Sequence, residues 1–366
     1  MRIGIIGLPN VGKSTLFNAL TAAGAAAENY PFCTVEPNVG VVTVPDSRLD
    51  RLAAVVKPPQ VIPAVIEFVD IAGLVQGANQ GEGLGNQFLG HIRNVDAVAH
   101  VVRCFEHPDV THVMGALDPV RDHDIVMTEL ALADLSLVER RLDKVRKAAR
   151  SGDKDAQTEE AALGRIMAAL NAGGVAGGPH LSDDDTRLAR DVGLLTVLPV
   201  VYAANVSEND LGRGEIPELR ALEKTVHQHE ETAEIVVFAA EFEAELADLE
   251  EESERTQFLA SVGLENHSLN RFVAACYRLL GLETFFTFND KEARAWTLTA
   301  GATAYDAAGK IHTDFQRGFI RADTIPVEDF IAAGSYKAAR ENGLVRSEGR
   351  EYVVQDGDVL LFRFNV

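Results

Sequence analysis

The stretch GLPNVGKS, residues 7–14, decides the fold class of this chain. Two glycines bracket four residues, and a lysine and a serine follow directly. An apolar run, Arg2–Ile6, precedes the stretch and an amphipathic run, Thr15–Ala23, follows it, which predicts a strand, a tight loop and a helix. In such a loop, backbone N–H groups converge on phosphate oxygens at a helix N-terminus. The sequence therefore predicts a phosphate-binding loop, the P-loop.

The residue types in this loop fit a nucleoside triphosphate with Mg²⁺. Gly7 and Gly12 permit a backbone path that a Cβ would obstruct. We expect Lys13 to neutralise the β- and γ-phosphates, and therefore to face the ligand and not the core, while the Ser14 hydroxyl ligates Mg²⁺. Lys13 also counts as a predicted catalytic residue. The nucleotide-binding residues predicted in the loop are Asn10, Val11, Gly12, Lys13, Ser14 and Thr15.

Two further segments supply predicted contacts to Mg²⁺ and to the γ-phosphate. The apolar run 65–69 ends in Asp70, and Gly73 completes the pattern Asp-x-x-Gly. We expect Asp70 to reach Mg²⁺ through water and the Gly73 N–H to contact the γ-phosphate. Thr34 lies in a polar loop and is predicted as the second hydroxyl ligand of Mg²⁺. The glycine-rich segment 77–85 is predicted to change course when the γ-phosphate is lost, or else to be a passive loop.

The patterns along the 366 residues predict an α/β fold with a helical insertion and a small C-terminal domain. Apolar runs alternate with helical patterns up to residue 120, which predicts a mostly parallel sheet flanked by helices. Residues 122–192 show a helical period and are predicted as a coiled-coil hairpin too short for a core of its own. The predicted domains are 1–282, interrupted by this hairpin, and 283–366, an α+β domain. Strands of the first domain are predicted at Arg2–Ile6, Val39–Val44, Val61–Val69, Ala97–Cys104, Leu194–Ala204 and Glu234–Ala240.

The overall charge argues against general nucleic-acid binding. Thirty-four basic and 55 acidic residues give a net charge of −21, which repels phosphates. Seven basic residues within Arg140–Lys154 form a local exception, interpreted either as an RNA contact or as a solvated helix face. No leader pattern is present, and no apolar run approaches the roughly 20 residues that a membrane span needs. The sequence predicts a cytoplasmic protein without a membrane contact.

These motifs together resemble the YchF type of Obg-like ATPases, in the translation-factor class of P-loop proteins. The stretches that carry the resemblance are Gly7–Thr15, Asn29–Asn38, Asp70–Leu89, Ala204–Glu208, Ala308–Phe315 and Val354–Asp358. The resemblance implies a G domain with a helical coiled-coil insertion, a C-terminal TGS domain with a β-grasp fold, and nucleotide hydrolysis at the ribosome. We expect the hairpin and the TGS domain to bind the ribosome, at its large subunit.

The segment after the strand that ends at Ala204 bears on the choice of base. GTPases of this class read guanine with Asn-Lys-x-Asp, whose carboxylate accepts hydrogen bonds from two guanine donors. Here the corresponding residues are Asn205, Val206, Ser207 and Glu208, without the lysine and with a longer carboxylate. A site without the guanine reader loses its preference for guanine. We therefore predict that Asn205, Val206 and Glu208 bind the nucleotide and that ATP binds better than GTP; the segment is also interpreted as a helix-capping turn.

The group that activates water is less well specified. Leu74 stands where many relatives carry the glutamine that orients the attacking water, so we expect slow hydrolysis or another side chain in that role. The family resemblance singles out a histidine in the loop after Cys104, and His112 is the predicted catalytic residue, with His107 and His91 as alternatives. A GTPase translation factor and an adaptor that binds ATP without turnover remain alternative functions.

Overall fold

The structure, a computed structural model, describes most of the chain. The described residues are 1–23, 38–71, 90–107, 110–174, 181–211, 215–249, 251–264 and 267–365. Thr34, Gly73, Leu74 and the glycine-rich segment 77–85 lie outside these ranges. The chain divides into two compact units, Met1–Gly40 with Glu67–Phe272 and Val41–Ile66 with Val273–Val366.

Strands and helices alternate through the first part of the described chain, and the helices become shorter towards its end. The strands are β1 Arg2–Ile6, β2 Val39–Thr43, β3 Gln60–Ile62, β4 Val65–Asp70, β5 Ala97–Arg103, β6 Val200–Asn205, β7 Ile235–Phe238, β8 Leu282–Phe288, β9 Glu292–Thr299, β10 Phe319–Pro326, β11 Arg346–Glu348 and β12 Asp358–Phe364. The helices are α1 Lys13–Ala23, α2 Ser47–Val56, α3 Pro119–Arg150, α4 Lys154–Asn171, α5 Asp183–Val192, α6 Pro217–His229, α7 Ala240–Asp248, α8 Glu252–Ser261, α9 Ser268–Leu279, α10 Ala304–Ile311, α11 Thr313–Arg317, α12 Val327–Ala333 and α13 Tyr336–Glu341.

A sheet whose strands β4, β1, β5, β6 and β7 run parallel forms the centre of the first unit. Its strand order is β2-β4-β1-β5-β6-β7, and β1 pairs in parallel with both β4 and β5. Strand β5 is buried along its whole length, and β6 continues the parallel pairing to β7. The carboxyl ends of parallel strands meet at one edge, where ligands of such sheets bind. The predicted α/β class is confirmed.

The run Val61–Val69 does not form the single strand predicted from the sequence. It forms β3 and β4, which belong to different sheets, because Pro63 lacks the N–H that a continuous ladder requires. Strand β3 pairs in parallel with β9, and β4 pairs with β1. Residues 41–66 therefore group with the C-terminal unit, whereas the predicted domain 1–282 contains them.

Ion pairs and a second sheet hold residues 41–66 in the C-terminal unit. In α2, Arg48 lies 2.6 Å from Asp356, and Arg51 lies 2.5 Å from Glu328. The sheet has the order β11-β10-β12-β8-β9-β3 and packs on a buried cluster that includes Phe285. The expectation of a small α+β domain at the C-terminus is confirmed, with β3 as an added edge strand.

The helical insertion has a hydrophobic core, so the expectation that it is too short for one is wrong. Buried residues of α3, α4 and α5 pack together, and Leu142, Ile166 and Ala189 are each at most 2% exposed. The third helix, α5, supplies the apolar surface that two helices alone would lack. Among the described residues, no helix is long and apolar enough to cross a membrane.

Candidate functional site

The backbone of residues 7–14 follows a path that depends on its glycines. Gly7 has a φ of 147°, and a Cβ there would lie 2.5 Å from the carbonyl oxygen of Val101 in β5. Gly12 has a φ of 99°, and its Cβ would collide with the side-chain amide of Asn205. Asn10 adopts a φ of 62°, a region in which asparagine is enriched. The loop therefore packs directly against the ends of β5 and β6.

Asn205 ties the P-loop to the start of another helix. Its buried side chain donates from Nδ2 to the Val11 carbonyl oxygen at 3.0 Å, and its Oδ1 accepts from the Ala240 N–H at 3.0 Å. Strand β6, the P-loop and α7 are thus joined at one side chain. The role of Asn205 in binding the base stays a prediction, beside this structural role.

Lys13 points into the protein in this structure, contrary to the expectation that it faces only the ligand. It is 7% exposed, and its Nζ donates to the Leu8 carbonyl oxygen at 2.7 Å. Burial lowers the pKa of Lys13 to about 8, and the negative charge of Asp70 opposes that shift. The Lys13 ammonium group has three donors, so Nζ can keep its bond to Leu8 and still donate to phosphate oxygens.

Ser14 and Asp70, the two predicted Mg²⁺ contacts within the described residues, lie side by side. The Ser14 hydroxyl donates to the Asp70 carboxylate at 2.9 Å, and Ser14 is exposed. One hydroxyl and one carboxylate form an all-oxygen donor set, which Mg²⁺ prefers, with water or phosphate oxygens completing its shell. The residues present therefore fit a magnesium ion.

A cavity of about 440 Å³ opens where the P-loop meets the ends of β5, β6 and β7. The predicted nucleotide-binding residues in its wall are Asn10, Gly12, Thr15, Asn205, Val206 and Glu208. These residues come from two segments separated by about 190 positions along the chain, and the fold brings them to one edge of the sheet, as parallel strands predict.

The segment from Asn205 to Glu208 is both a cavity wall and a turn. Val206 is 2% exposed, and its N–H donates to the Phe238 carbonyl oxygen at 2.9 Å. Glu208 is exposed and begins a short 3₁₀ turn, Glu208–Asp210, and the Ser207 hydroxyl donates to Asp210 at 2.6 Å. The segment thus forms a turn, as one interpretation of the sequence had it. It also lines the cavity in which the other interpretation, nucleotide binding, would apply.

Apart from His107, an alternative to His112 in the sequence analysis, the remaining residues of the cavity wall were not predicted site residues. Phe105, Glu106 and His107 line it after β5, and Ala239 to Glu241 line it after β7. Arg103 fixes the first group: its Nε donates to the Phe105 carbonyl oxygen at 3.0 Å, and its guanidinium lies 4.7 Å from the Phe105 ring centroid. Their positions in the sequence could have predicted them, because both groups directly follow strands whose carboxyl ends lie at the P-loop edge of the sheet.

His112 lies in the loop that contacts the P-loop, but it does not line the cavity. Asn10 donates to the Thr111 carbonyl oxygen at 3.3 Å, which places the residue before His112 against the P-loop. The His112 side chain is 6% exposed, and its Nε2 lies 2.7 Å from a carboxylate oxygen of Asp122. Of the two alternatives, His107 lines the cavity and His91 is exposed.

The basic segment Arg140–Lys154 covers the end of α3 and the start of α4. Two of its arginines are paired with acids of α4, Arg141 with Glu159 at 2.6 Å and Arg146 with Glu160 at 3.4 Å. Arg140, Lys144 and Lys147 are exposed and recur at the spacing of one helix face. We call these three residues the basic stripe.

Two protein-family models match this chain, one in its N-terminal part and one in its C-terminal part. The 50S ribosome-binding GTPase family model matches residues 2–132. The YchF-GTPase C-terminal model, described as a protein of unknown function (DUF933), matches residues 282–365.

Full-length relatives agree with these matches. The chain is 52% identical to the ribosome-binding ATPase YchF of Haemophilus ducreyi, covering 100% of this chain and 99% of that protein. It is 50% identical to the ribosome-binding ATPase YchF of Escherichia coli O157:H7, with the same coverage. The solved structure of the Schizosaccharomyces pombe YchF GTPase superimposes with a TM-score of 0.89 at 33% identity, covering 99% of this chain and 97% of that one. The chain belongs to the YchF family of P-loop proteins.

Proposed function

We propose that this protein hydrolyses ATP with Mg²⁺ and binds the ribosome, and that nucleotide controls its shape. The observation that carries the proposal is the cavity of about 440 Å³ that residues of the P-loop and of the segment Asn205–Glu208 line together. In hydrolysis the water oxygen forms a bond to the γ-phosphorus as the bond to the bridging oxygen breaks. ADP leaves with that electron pair, and the proton of the water passes to phosphate. Bound magnesium would neutralise charge that develops on the phosphate oxygens.

The cavity wall supports adenine over guanine. Glu106, Glu208 and Glu241 contribute three carboxylates, and no lysine or arginine is found among the described residues that line the cavity. GTPases of this class read guanine with the lysine and the shorter aspartate of Asn-Lys-x-Asp. Here Val206 replaces that lysine and Glu208 is one methylene longer, so the wall lacks the group that makes guanine the preferred base. The bacterial relatives named above are called ATPases.

We expect ATP to bind at least as tightly as GTP in side-by-side titrations. Glu208→Asp shortens the carboxylate towards the guanine-reading length, and we expect it to raise GTP affinity relative to ATP by a few-fold. Because Val206 is buried, a lysine at that position would cost stability, so the single change is the cleaner test. Glu241→Asp is the matched control, since it shortens another carboxylate of the same cavity. A wild-type preference for GTP of tenfold or more would contradict the assignment.

A GTPase is the second candidate function, because the yeast protein of known structure is called a GTPase. Turnover of ATP and GTP under single-turnover conditions decides between the two. The same experiment separates both from an adaptor that binds ATP without hydrolysing it, because such an adaptor would release no phosphate from a pre-bound complex.

We expect Ser14→Ala to raise the Mg²⁺ concentration needed for ATP binding by about tenfold, because it removes an oxygen ligand from a hard cation. Ser14→Thr keeps the hydroxyl and is the control.

Thr34→Ala should weaken ATP binding more than ADP binding, since we propose that its loop is ordered by the γ-phosphate. Mg²⁺ titrations of nucleotide binding measure both effects, and equal losses for ATP and ADP would mean that Thr34 is only a loop residue.

Three residues of the proposed site have roles that rest on sequence and family resemblance. Gly73 would contact the γ-phosphate through its N–H, His112 would orient the attacking water, and Thr34 would ligate Mg²⁺. We propose further that the hairpin and the C-terminal unit bind the large ribosomal subunit, with RNA contacts along Arg140–Lys154.

A further inference from the structure

Both ring nitrogens of His112 are engaged, and one contact fixes where the proton sits. The Met114 N–H donates to Nδ1 at 3.1 Å, and Nε2 lies 2.7 Å from Oδ2 of Asp122. A backbone N–H only donates, so Nδ1 must be the acceptor. The neutral ring therefore carries its proton on Nε2, and this N–H donates a hydrogen bond to Asp122.

Asp122 is held on its other side by a cation. Its side chain is 3% exposed, and Oδ1 accepts from Nη2 of Arg121 at 3.0 Å. The same Nη2 donates to the Ala116 carbonyl oxygen at 2.7 Å, which closes the turn that carries His112. A buried carboxylate with a cation on one oxygen and an imidazole N–H on the other has a single favourable orientation.

The helix that carries Asp122 is anchored at this point. Asp118 caps the N-terminus of α3 by accepting from the Arg121 N–H at 3.0 Å. The next residue, His123, packs against His100 with ring centroids 5.7 Å apart and against Tyr202 at 5.6 Å. Asp122 thus projects towards His112 from a buried and closely packed part of the fold.

We propose that Asp122 is a positioning residue for hydrolysis: it fixes the tautomer of His112 that leaves Nδ1 free to accept a hydrogen bond from the attacking water. This inference rests on the proposed function of His112. In the structure the Met114 N–H occupies Nδ1, so the turn from His112 to Met114 must open before water can bind there. Asp122 then keeps the proton on Nε2, so that Nδ1 stays an acceptor that orients the water while the water's proton passes to phosphate.

Asp122→Asn tests the proposal with almost no change in volume. The guanidinium of Arg121 only donates, so the amide oxygen of the new side chain would turn towards it and the amide NH₂ would face His112. Nε2 would then have to accept, which moves the ring proton to Nδ1 and removes the acceptor for water. We expect the single-turnover rate of ATP hydrolysis to fall roughly 10- to 100-fold, with the ATP dissociation constant changed less than about twofold.

Asp124→Asn is the matched control on the same helix. Asp124 is 58% exposed and contacts His123 instead of His112, so we expect an unchanged rate. In a His112→Ala background, Asp122→Asn should have no further effect, because a positioning residue acts only through the group that it positions. A purely structural role would lower the rate in both backgrounds.

The outcomes separate this inference from the proposed function. If the wild type binds and hydrolyses ATP and His112→Ala is slow, an unchanged or faster rate in Asp122→Asn, or additive losses in the double variant, overturns the role of Asp122 alone. If His112→Ala hydrolyses normally, the role of His112 and this inference both fail. Should Asp122→Asn not fold, nitrogen-15 NMR of the wild-type His112 ring decides: a proton on Nε2 supports the proposal and a proton on Nδ1 overturns it.

Discussion

Lys13→Ala is expected to weaken ATP binding by about 2–4 kcal/mol, or roughly 30- to 1000-fold, while the protein stays folded. Lys13 is the cation of the P-loop, and its Nζ now donates to the Leu8 carbonyl oxygen at 2.7 Å. When a triphosphate binds, we expect the other donors of Nζ to bond to charged phosphate oxygens. Charge-assisted bonds of that kind are about twice as strong as neutral ones, so removing the ammonium group removes the larger interaction.

Two opposing effects keep the stability of the Lys13→Ala variant close to that of the wild type. The Leu8 carbonyl loses its hydrogen bond, which costs about 1 kcal/mol. Burial lowers the pKa of Lys13 to about 8 because it disfavours the charged ammonium, and we expect the substitution to remove that unfavourable contribution. Isothermal titration with ATP and ADP gives the affinities, and thermal unfolding without nucleotide gives the stability.

Lys224→Ala is a suitable control for Lys13→Ala, because Lys224 is an exposed lysine on α6. It makes the same change in net charge away from the cavity, and we expect wild-type affinity for both nucleotides. Unchanged ATP affinity in Lys13→Ala would mean that residues 7–14 do not bind the phosphates, and the proposed function would then lose its basis.

Structural features that depend on residues close together in the sequence were predictable. The P-loop needs two glycines, a lysine and a serine within eight positions, and the structure confirms its strand, turn and helix. The period of α3 was likewise readable, because Val138, Leu142 and Val145 recur at helical spacing and are buried. Local geometry determines these patterns, so a single stretch of sequence carries enough information.

Features that join distant residues were not predictable in the same way. The amide of Asn205 bonds to the Val11 carbonyl oxygen 194 positions earlier, and β3 pairs with β9, which lies about 230 positions later. The pairing of His112 with Asp122 crosses only ten positions, but it depends on how an irregular turn packs on α3. No period or motif marks such contacts, because the tertiary fold and not the local chain creates them.

The structure also distinguishes the basic side chains of the hairpin that are paired with acids from those that could contact a partner. Arg141 and Arg146 are paired with Glu159 and Glu160, so part of the positive charge of Arg140–Lys154 is neutralised within the insertion. Within described residues 110–174, no acidic side chain lies at ion-pair distance from the basic stripe, Arg140, Lys144 and Lys147. At physiological salt, screening hides charges beyond about 8 Å, so the net charge of −21 does not prevent a local contact with phosphates.

Reversing the basic stripe to glutamate is therefore expected to weaken ribosome binding by about 100- to 1000-fold near 0.1 M salt and to lower the slope of log affinity against log salt by roughly 3. Each lost phosphate contact removes about one released counterion, and the three residues lie on one exposed face of α3. Cosedimentation with ribosomes across a salt series measures both quantities, and ATP hydrolysis without ribosomes should not change. A control triple, Arg220, Lys224 and Arg271 to glutamate, makes the same change in net charge at exposed positions outside the insertion. If both triple variants pellet like the wild type, the basic stripe is a solvated helix face, and if both weaken equally, overall charge and not this surface governs binding.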